Sequence, residues 1–398
     1  MERTNERTLL GVSIGHAAHD TWYGVAPVLL AALSNQMQLS NSEIGLVLLL
    51  YQAVSSLTQP FFGRLSERVG GRSMGVAAIL WTTLMFSGVL FAPTKLLLAL
   101  FIGLAGLGSG AWHPQGAVNA TVAGGSRWGA TSASIFFLGG TLGSAVLGSA
   151  LGGWLLGEFG RPSLLVISAI TVSLALFVVR TMVPQRMAIP NKTTEVAAAP
   201  ANNGNGKRAF WTILGLLLVA TALRSLVAHS LNTYIPKYQQ DLGVQPEVYG
   251  AIMSLFLVAT AVGGVSGAYL ADRIGIRNVL VGTMVLGGIL FLPFVRTTGF
   301  WSYASLIVSG FMIGPSHTLL VIAGQRRFPQ RMAMASGIFL GFNFVSGAGG
   351  AWLLGLLADR ISLGSALGIL PFFLFAAAAV ALFAVPGTRR QAATAQTL

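Results

Sequence analysis

The sequence predicts an all-α membrane protein: twelve transmembrane helices in two pseudo-symmetric six-helix bundles. Three observations predict it. Of 398 residues, 54% belong to the AVILMFWYC set and only 9% are charged, against roughly a quarter in a soluble domain, so the chain lacks the charge to cover a solvated surface. The apolar residues fall into twelve runs, each near the ~20 residues that cross ~30 Å of hydrocarbon. Three motifs then recur in register between the two halves. Disorder is excluded by the same composition, because disorder requires low hydrophobicity. Zero cysteines exclude a disulfide scaffold, a thiolate metal site and a thiol nucleophile.

The first run, 9–33, follows a short basic segment and has the look of a signal peptide. It contains His16, His19 and Asp20, which an h-region does not carry, and continues past that length, so it reads as a helix that stays. Spans two to four are 43–62, 73–92 and 96–118. His113-Pro114-Gln115 interrupts the fourth, since Pro114 lacks an N–H and frees a carbonyl; a simple kink is the ordinary reading. Span five, 128–154, carries Gly139-Gly140-x2-Gly143-Ser144-x3-Gly148-Ser149-x2-Gly152-Gly153. Small residues four apart let helix backbones touch, a packing signal first. Span six is 162–183, and spans seven to twelve are 210–235, 248–270, 278–295, 301–324, 333–357 and 364–385. Between the halves, 184–208 has no apolar period and is rich in Ala, Asn and Gly, the composition of a flexible linker. The expected domains are therefore 1–183, the linker 184–208, and 209–398.

Orientation follows from Lys and Arg. With the N-terminus inside, eighteen of the 24 basic residues fall on the inner side, five on the outer, and Arg224 lies within a span. Both termini and the linker are expected to be cytoplasmic, in the inner (plasma) membrane. The same bias accounts for the net charge of +13 without nucleic acid, which would require a clustered basic patch.

The halves repeat. Gly63-Arg-Leu-Ser-Glu67-Arg68-Val-Gly70-Gly-Arg72 returns as Ala268-Tyr-Leu-Ala-Asp272-Arg273-Ile-Gly275-Ile-Arg277, 205 residues later. Gly106-x3-Gly110-x2-His113 matches Gly310-x3-Gly314-x2-His317, and Asp20 precedes Pro27 by seven residues as His229 precedes Pro236. Parallel six-helix repeats with a site near the midplane are a transporter architecture.

Two fully charged residues lie deep inside spans: Asp20 and Arg224. A bare charge there is unfavourable by at least ~2.5–3.5 kcal/mol, so each must face a partner or a cavity. Their opposite signs in corresponding helices suggest one another. One reading is an ion pair locking the bundles; the other is a proton-accepting carboxylate beside an anion-binding guanidinium. All five histidines, His16, His19, His113, His229 and His317, fall in spans one, four, seven and ten. A lone membrane histidine is more often a packing residue, so it is the set that marks a polar wall. His16, His19, Asp20 and Tyr23 form one stripe at i, i+3, i+4, i+7. Trp22, Tyr23, Tyr51, Trp112 and Tyr234 are candidates to line a partly apolar ligand site, although Tyr and Trp near span ends also serve as interface anchors, the ordinary reading of Tyr234. No phosphate-cradling P-loop occurs, so ATP is not the driver, and neither a metal, a cofactor nor hydrolase chemistry is expected.

The Gly63–Arg72 segment resembles the loop motif of the major facilitator superfamily, with its partial copy at 272–277 in the second expected place. Three further segments resemble the fosmidomycin-resistance branch: Gly15-His16-x3-Asp20-x3-Gly24-x2-Pro27, Tyr51-Gln52-x2-Ser55-x3-Gln59-Pro60-x2-Gly63, and Trp112-His113-Pro114. Three positions depart from the patterns: Glu67 for the loop Asp, Gln115 where that branch tends to show Glu, and Ser149 for the Pro of the antiporter glycine motif. The resemblance implies alternating access by a monomer, with Gly63, Glu67, Arg68, Arg72, Asp272 and Arg273 as gating residues. It implies proton coupling through Asp20, His16, His19 and His113. Substrate contacts are expected from Arg224, Tyr23, Tyr51, Gln52, Trp112, His113, His229, Asn232 and His317. The expected activity is proton-coupled efflux of a small drug-like or organic-anion compound. Uptake of an organic anion with protons, or a receptor or channel on the same fold, are the alternatives.

Overall fold

The computed structural model describes residues 3–185, 204–328 and 332–387, all of whose regular structure is helical. In the first half α1 is Arg3–Ser34, α2 Asn41–Val69, α3 Gly71–Val89, α4 Lys95–Ala123 and α5 Gly125–Leu142. A π-helical stretch, Gly143–Leu151, continues α5 into α6, Gly152–Phe159. After a short 3₁₀ turn come α7, Leu165–Ser173, a second π-helical stretch, Leu174–Val179, and α8, Arg180–Met182. In the second half α9 is Gly204–Asp241, α10 Pro246–Ile274, α11 Ile276–Arg296, α12 Phe300–Ile313, α13 Pro315–Gln325 and α14 Met332–Ile361. α15, Leu363–Leu367, and α16, Leu370–Ala384, complete it.

Ten helical stretches among the described residues are long and apolar enough to cross a membrane, and they coincide with expected spans two and four to twelve. The first and third expected spans form α1 and α3, which are not among the ten. α1 has the length but carries His16, His19 and Asp20 at its centre, while α3 has only 19 residues and starts on Gly71-Arg72-Ser73. The expected linker lies mostly outside the described residues, and its last residues belong to α9, which starts at Gly204.

Local signals set the boundaries. Ser40 caps α2 in a capping box: its hydroxyl accepts from the Glu43 N–H, and the Glu43 carboxylate accepts from the Ser40 N–H. Thr94 caps α4 by accepting from the Leu97 N–H. The repeated loop motif builds the same turn twice. Gly70 has φ 97 and ψ 141, and Gly275 has φ 91 and ψ 143, a region open to glycine. Each closes its helix by donating to the carbonyl four residues back, Ser66 or Ala271.

Contacts divide the chain into two units, Met1–Pro190 with Asn232–Val258, and Asn191–Leu231 with Ala259–Leu398. Within the first, α1 lies against α5 and its π-helical continuation through a ladder of glycines. A Cβ at Gly139, Gly143 or Gly148 would strike the backbone of Ser13, Ala17 or Thr21, so only glycine admits this approach. The Ser144 and Ser149 hydroxyls donate to the Asp20 and Gly24 carbonyls at 2.8 and 3.2 Å. Ser149 thus ties α1 to the π-helical stretch at the point where the resemblance called for proline.

Candidate functional site

Two helices of the first unit, α1 and α4, bring histidines to Asp20. The α1 stripe puts His16 and His19 beside it, and α4 adds His113 from across the bundle. His16 Nε2 is 3.1 Å from Asp20 Oδ2, His19 Nδ1 is 2.9 Å from Oδ1, and His113 Nε2 is 3.7 Å from Oδ1. His16 and His19 are buried at 2% and 0% exposure, whereas His113 and Asp20 keep 22% and 18%.

Backbone carbonyls fix two of the rings, because a carbonyl only accepts. His16 Nδ1–H donates to the Phe136 carbonyl at 2.7 Å, and His113 Nδ1–H donates to the Ser109 carbonyl at 2.9 Å. His19 fits a neutral ring, with Nδ1–H donating to Asp20 and Nε2 accepting from the Thr82 hydroxyl at 3.3 Å. The Phe136 ring stacks on His16 at 3.9 Å, and Trp112 lies parallel to His19 at 6.2 Å. Trp112 is wholly buried, so it forms a wall behind His19.

Along the same face, the Tyr23 hydroxyl meets Gln52 of α2 and Asn232 of α9, and its ring stacks on Tyr51 at 6.3 Å. Tyr51 meets Ser109, which accepts from the Ser55 hydroxyl at 2.8 Å. The structure thus brings together Asp20, His16, His19, His113, Tyr23, Tyr51, Gln52, Trp112 and Asn232. His16, Asp20 and His113 bring their side-chain donor and acceptor atoms within 4.8 Å of one another. Gln115 stands apart from this cluster, accepting from Asn119 Nδ2 at 2.8 Å.

The second unit holds the other intramembrane charge. Arg224 is 5% exposed; its Nε–H donates to Ser316 Oγ at 2.8 Å and an Nη1–H donates to Asn343 Oδ1 at 3.2 Å. His317 bonds the same Asn343, and His229 is buried against Gly347 of α14 with Phe344 at its edge, 6.0 Å away. Each intramembrane charge has partners within its own unit: histidines around Asp20 and neutral acceptors around Arg224.

Among the expected gating residues, Arg72 donates from Nε to Gln185 Oε1 at 3.1 Å and from Nη1 to the Arg180 carbonyl at 3.3 Å. Gln185 Nε2–H in turn donates to the Val69 carbonyl at 2.7 Å, clamping the turn at Gly70. Arg273 stacks over Tyr269 at 4.5 Å, a cation–π contact. Gly63 lies 3.8 Å from Pro114 through a notional Cβ, and Glu67 is exposed. Sequence reasoning missed Phe136, Ser109, Thr82 and Gly140. The first two act through backbone carbonyls, which carry no sequence signal. Gly140 was visible only as one of a packing series.

A family model described as Major Facilitator Superfamily matches residues 13–351 and, in a second match, 217–397. The chain belongs to the major facilitator superfamily. It is therefore a multi-pass membrane transporter rather than an enzyme. Among its superfamily relatives, the fosmidomycin resistance protein of Escherichia coli (strain K12) is 26% identical over 374 residues, covering 91% of this chain and 88% of that protein. The gentisate transporter of Corynebacterium glutamicum is 24% identical over 364 residues, covering 84% and 79%. The superfamily fold is also that of a bacterial homologue of the human lysosomal transporter Spinster, in an inward-facing, occupied crystal structure. That likeness has TM-score 0.76 at 15% identity, covering 96% of this chain and 97% of the other.

Proposed function

We propose that the protein is a proton-coupled exporter of a small organic-anion or drug-like compound, working by alternating access. The observation that carries the reading is Arg224. A guanidinium has five N–H donors, and this one, 5% exposed, bonds neutral acceptors, Ser316 and Asn343, among the described residues of its own unit. Such a group favours an incoming anion. Asp20, ringed by three histidines, supplies the protonatable carboxylate. The architecture we infer is twelve transmembrane helices in bundles 1–183 and 209–398, acting as a monomer in the inner (plasma) membrane. Both termini and the linker 184–208 lie on the cytoplasmic side, as the Lys and Arg distribution supports.

Export is supported by the fosmidomycin resistance relative and by the membrane potential, which helps an anion leave by ~2.3 kcal/mol per charge per 100 mV. The gentisate transporter favours a second reading, uptake of an organic anion together with protons. Everted and right-side-out vesicles bearing the protein separate the two, with fosmidomycin, gentisate and a lipophilic cation as probes. Accumulation of an anion in everted vesicles, lost on Arg224→Gln by at least ~10-fold as a charge-assisted hydrogen bond requires, is the expected result. Accumulation only in right-side-out vesicles selects uptake. Transport of the cation alone, unchanged in Arg224→Gln, contradicts the anion seat.

A further inference from the structure

The contact between His16 and Asp20 does not close with the atoms as they stand. His16 Nδ1 is committed to a proton by the Phe136 carbonyl at 2.7 Å. A neutral His16 therefore sets a bare Nε2 lone pair 3.1 Å from the carboxylate oxygen, and this buried Nε2 has no hydrogen-bond partner among the described residues. Two lone pairs repel at that distance. One proton, on His16 Nε2 or on Asp20 Oδ2, turns the repulsion into a charge-assisted hydrogen bond. His19 needs no such proton, since its two nitrogens are satisfied as donor to Asp20 and acceptor from Thr82.

The neighbour that sets this distance is Gly140 of α5. A Cβ there would lie 2.7 Å from Asp20 Oδ2 and equally 2.7 Å from His16 Nε2, so glycine alone leaves the two free to touch. We propose that α5 positions the proton seat: the Phe136 carbonyl holds His16 with Nε2 toward Asp20, Gly140 leaves room for their contact, and the pair shares one proton. His16 and Asp20 hold it; Phe136 and Gly140 are positioning residues. The titratable groups facing the pair are His19 and Tyr23 from α1, Tyr51 from α2 and His113 from α4. Thr82 of α3, Ser144 of the π-helical stretch and Asn232 of α9 add neutral donors and acceptors. The inference deepens the proton-coupled reading and rests on it.

Counting protons bound per chain against pH, on the full-length protein in detergent, tests the seat without a substrate. Wild type should take up one proton that Asp20→Asn does not. His16→Gln should lose the same proton, because its amide N–H donates permanently to Asp20, whereas His19→Gln should keep it. Gly140→Ala should lower the midpoint of that uptake by about 1–2 pH units, the worth of a charge-assisted hydrogen bond. Gly139→Ala is the control. Its Cβ would meet the Ser13 carbonyl at 2.5 Å, disturbing the same α1–α5 packing away from the pair, so its midpoint should stay at the wild-type value. Equal shifts in the two alanine variants, or a His16→Gln chain that titrates like wild type, overturn the seat. If Gly140→Ala does not fold, His16→Gln decides. The two readings fail differently: an Asp20→Asn chain that still couples protons to transport removes proton coupling at Asp20 itself. A His16→Gln chain that takes up the Asp20 proton removes only the shared seat.

Discussion

At the level of single residues, Asp20 and Arg224 resolve the same problem by different chemistry. Both are charges where water is scarce. Asp20 gathers imidazoles, which supply donors and a place for a proton; Arg224 gathers a hydroxyl and an amide, which accept from the guanidinium and leave its charge in place. If the partners within each unit suffice, the stabilities of Asp20→Asn, Arg224→Gln and the double variant combine additively, within the ~0.3–0.5 kcal/mol expected of independent sites. A thermal-stability cycle in detergent reads this, and a double variant more stable than Arg224→Gln alone would instead show that the two charges share one interaction. Much of the Asp20 site was legible as a stripe, since His16, His19, Asp20 and Tyr23 share a helix face by spacing alone. His113 had to come from α4, and the grouping of the five histidines, its repeat partner His317 and the family resemblance pointed to it. The carbonyls of Phe136 and Ser109 were not legible, because every residue has one.

At the level of elements, glycine placement explains what the helices do. The span-five series is a packing device, as its spacing implied, but its π-helical winding depends on tertiary contact with α1 and leaves no periodicity to read. Gly140 shows the limit of pattern reading: one member of a packing series also borders a titratable pair. The loop motif gives the clearest match between sequence and structure, since its two copies build turns with φ 97 and φ 91 at Gly70 and Gly275. Alanine at either place meets backbone strain of about 1–3 kcal/mol. Gly70→Ala should lose more than this strain alone, because its Cβ would also meet Gln185 at 2.5 Å. Melting temperatures of Gly70→Ala with and without Gln185→Ala check this; equal losses in the two backgrounds would mean that the Gln185 clamp yields without penalty.

At the level of the whole molecule, composition alone fixed the class, while polar residues inside α1 blurred the count of crossing helices. The same polarity marks α1 as the helix that carries Asp20 with His16 and His19. Glu67, exposed at the end of α2, belongs to this scale. The family resemblance makes it a proposed gating residue. Glu67→Lys should slow turnover severalfold while leaving substrate affinity near wild type, and an unchanged turnover number would remove Glu67 from the gate. Coupling itself is a property of the complete cycle, so it is best read in proteoliposomes loaded with a pH-sensitive dye. Adding fosmidomycin or gentisate without an imposed gradient should move protons across the membrane in wild type. In Asp20→Asn the pH change should vanish while labelled substrate still exchanges, because an amide binds substrate-side partners but cannot titrate. A full pH change in Asp20→Asn would contradict the account at its centre.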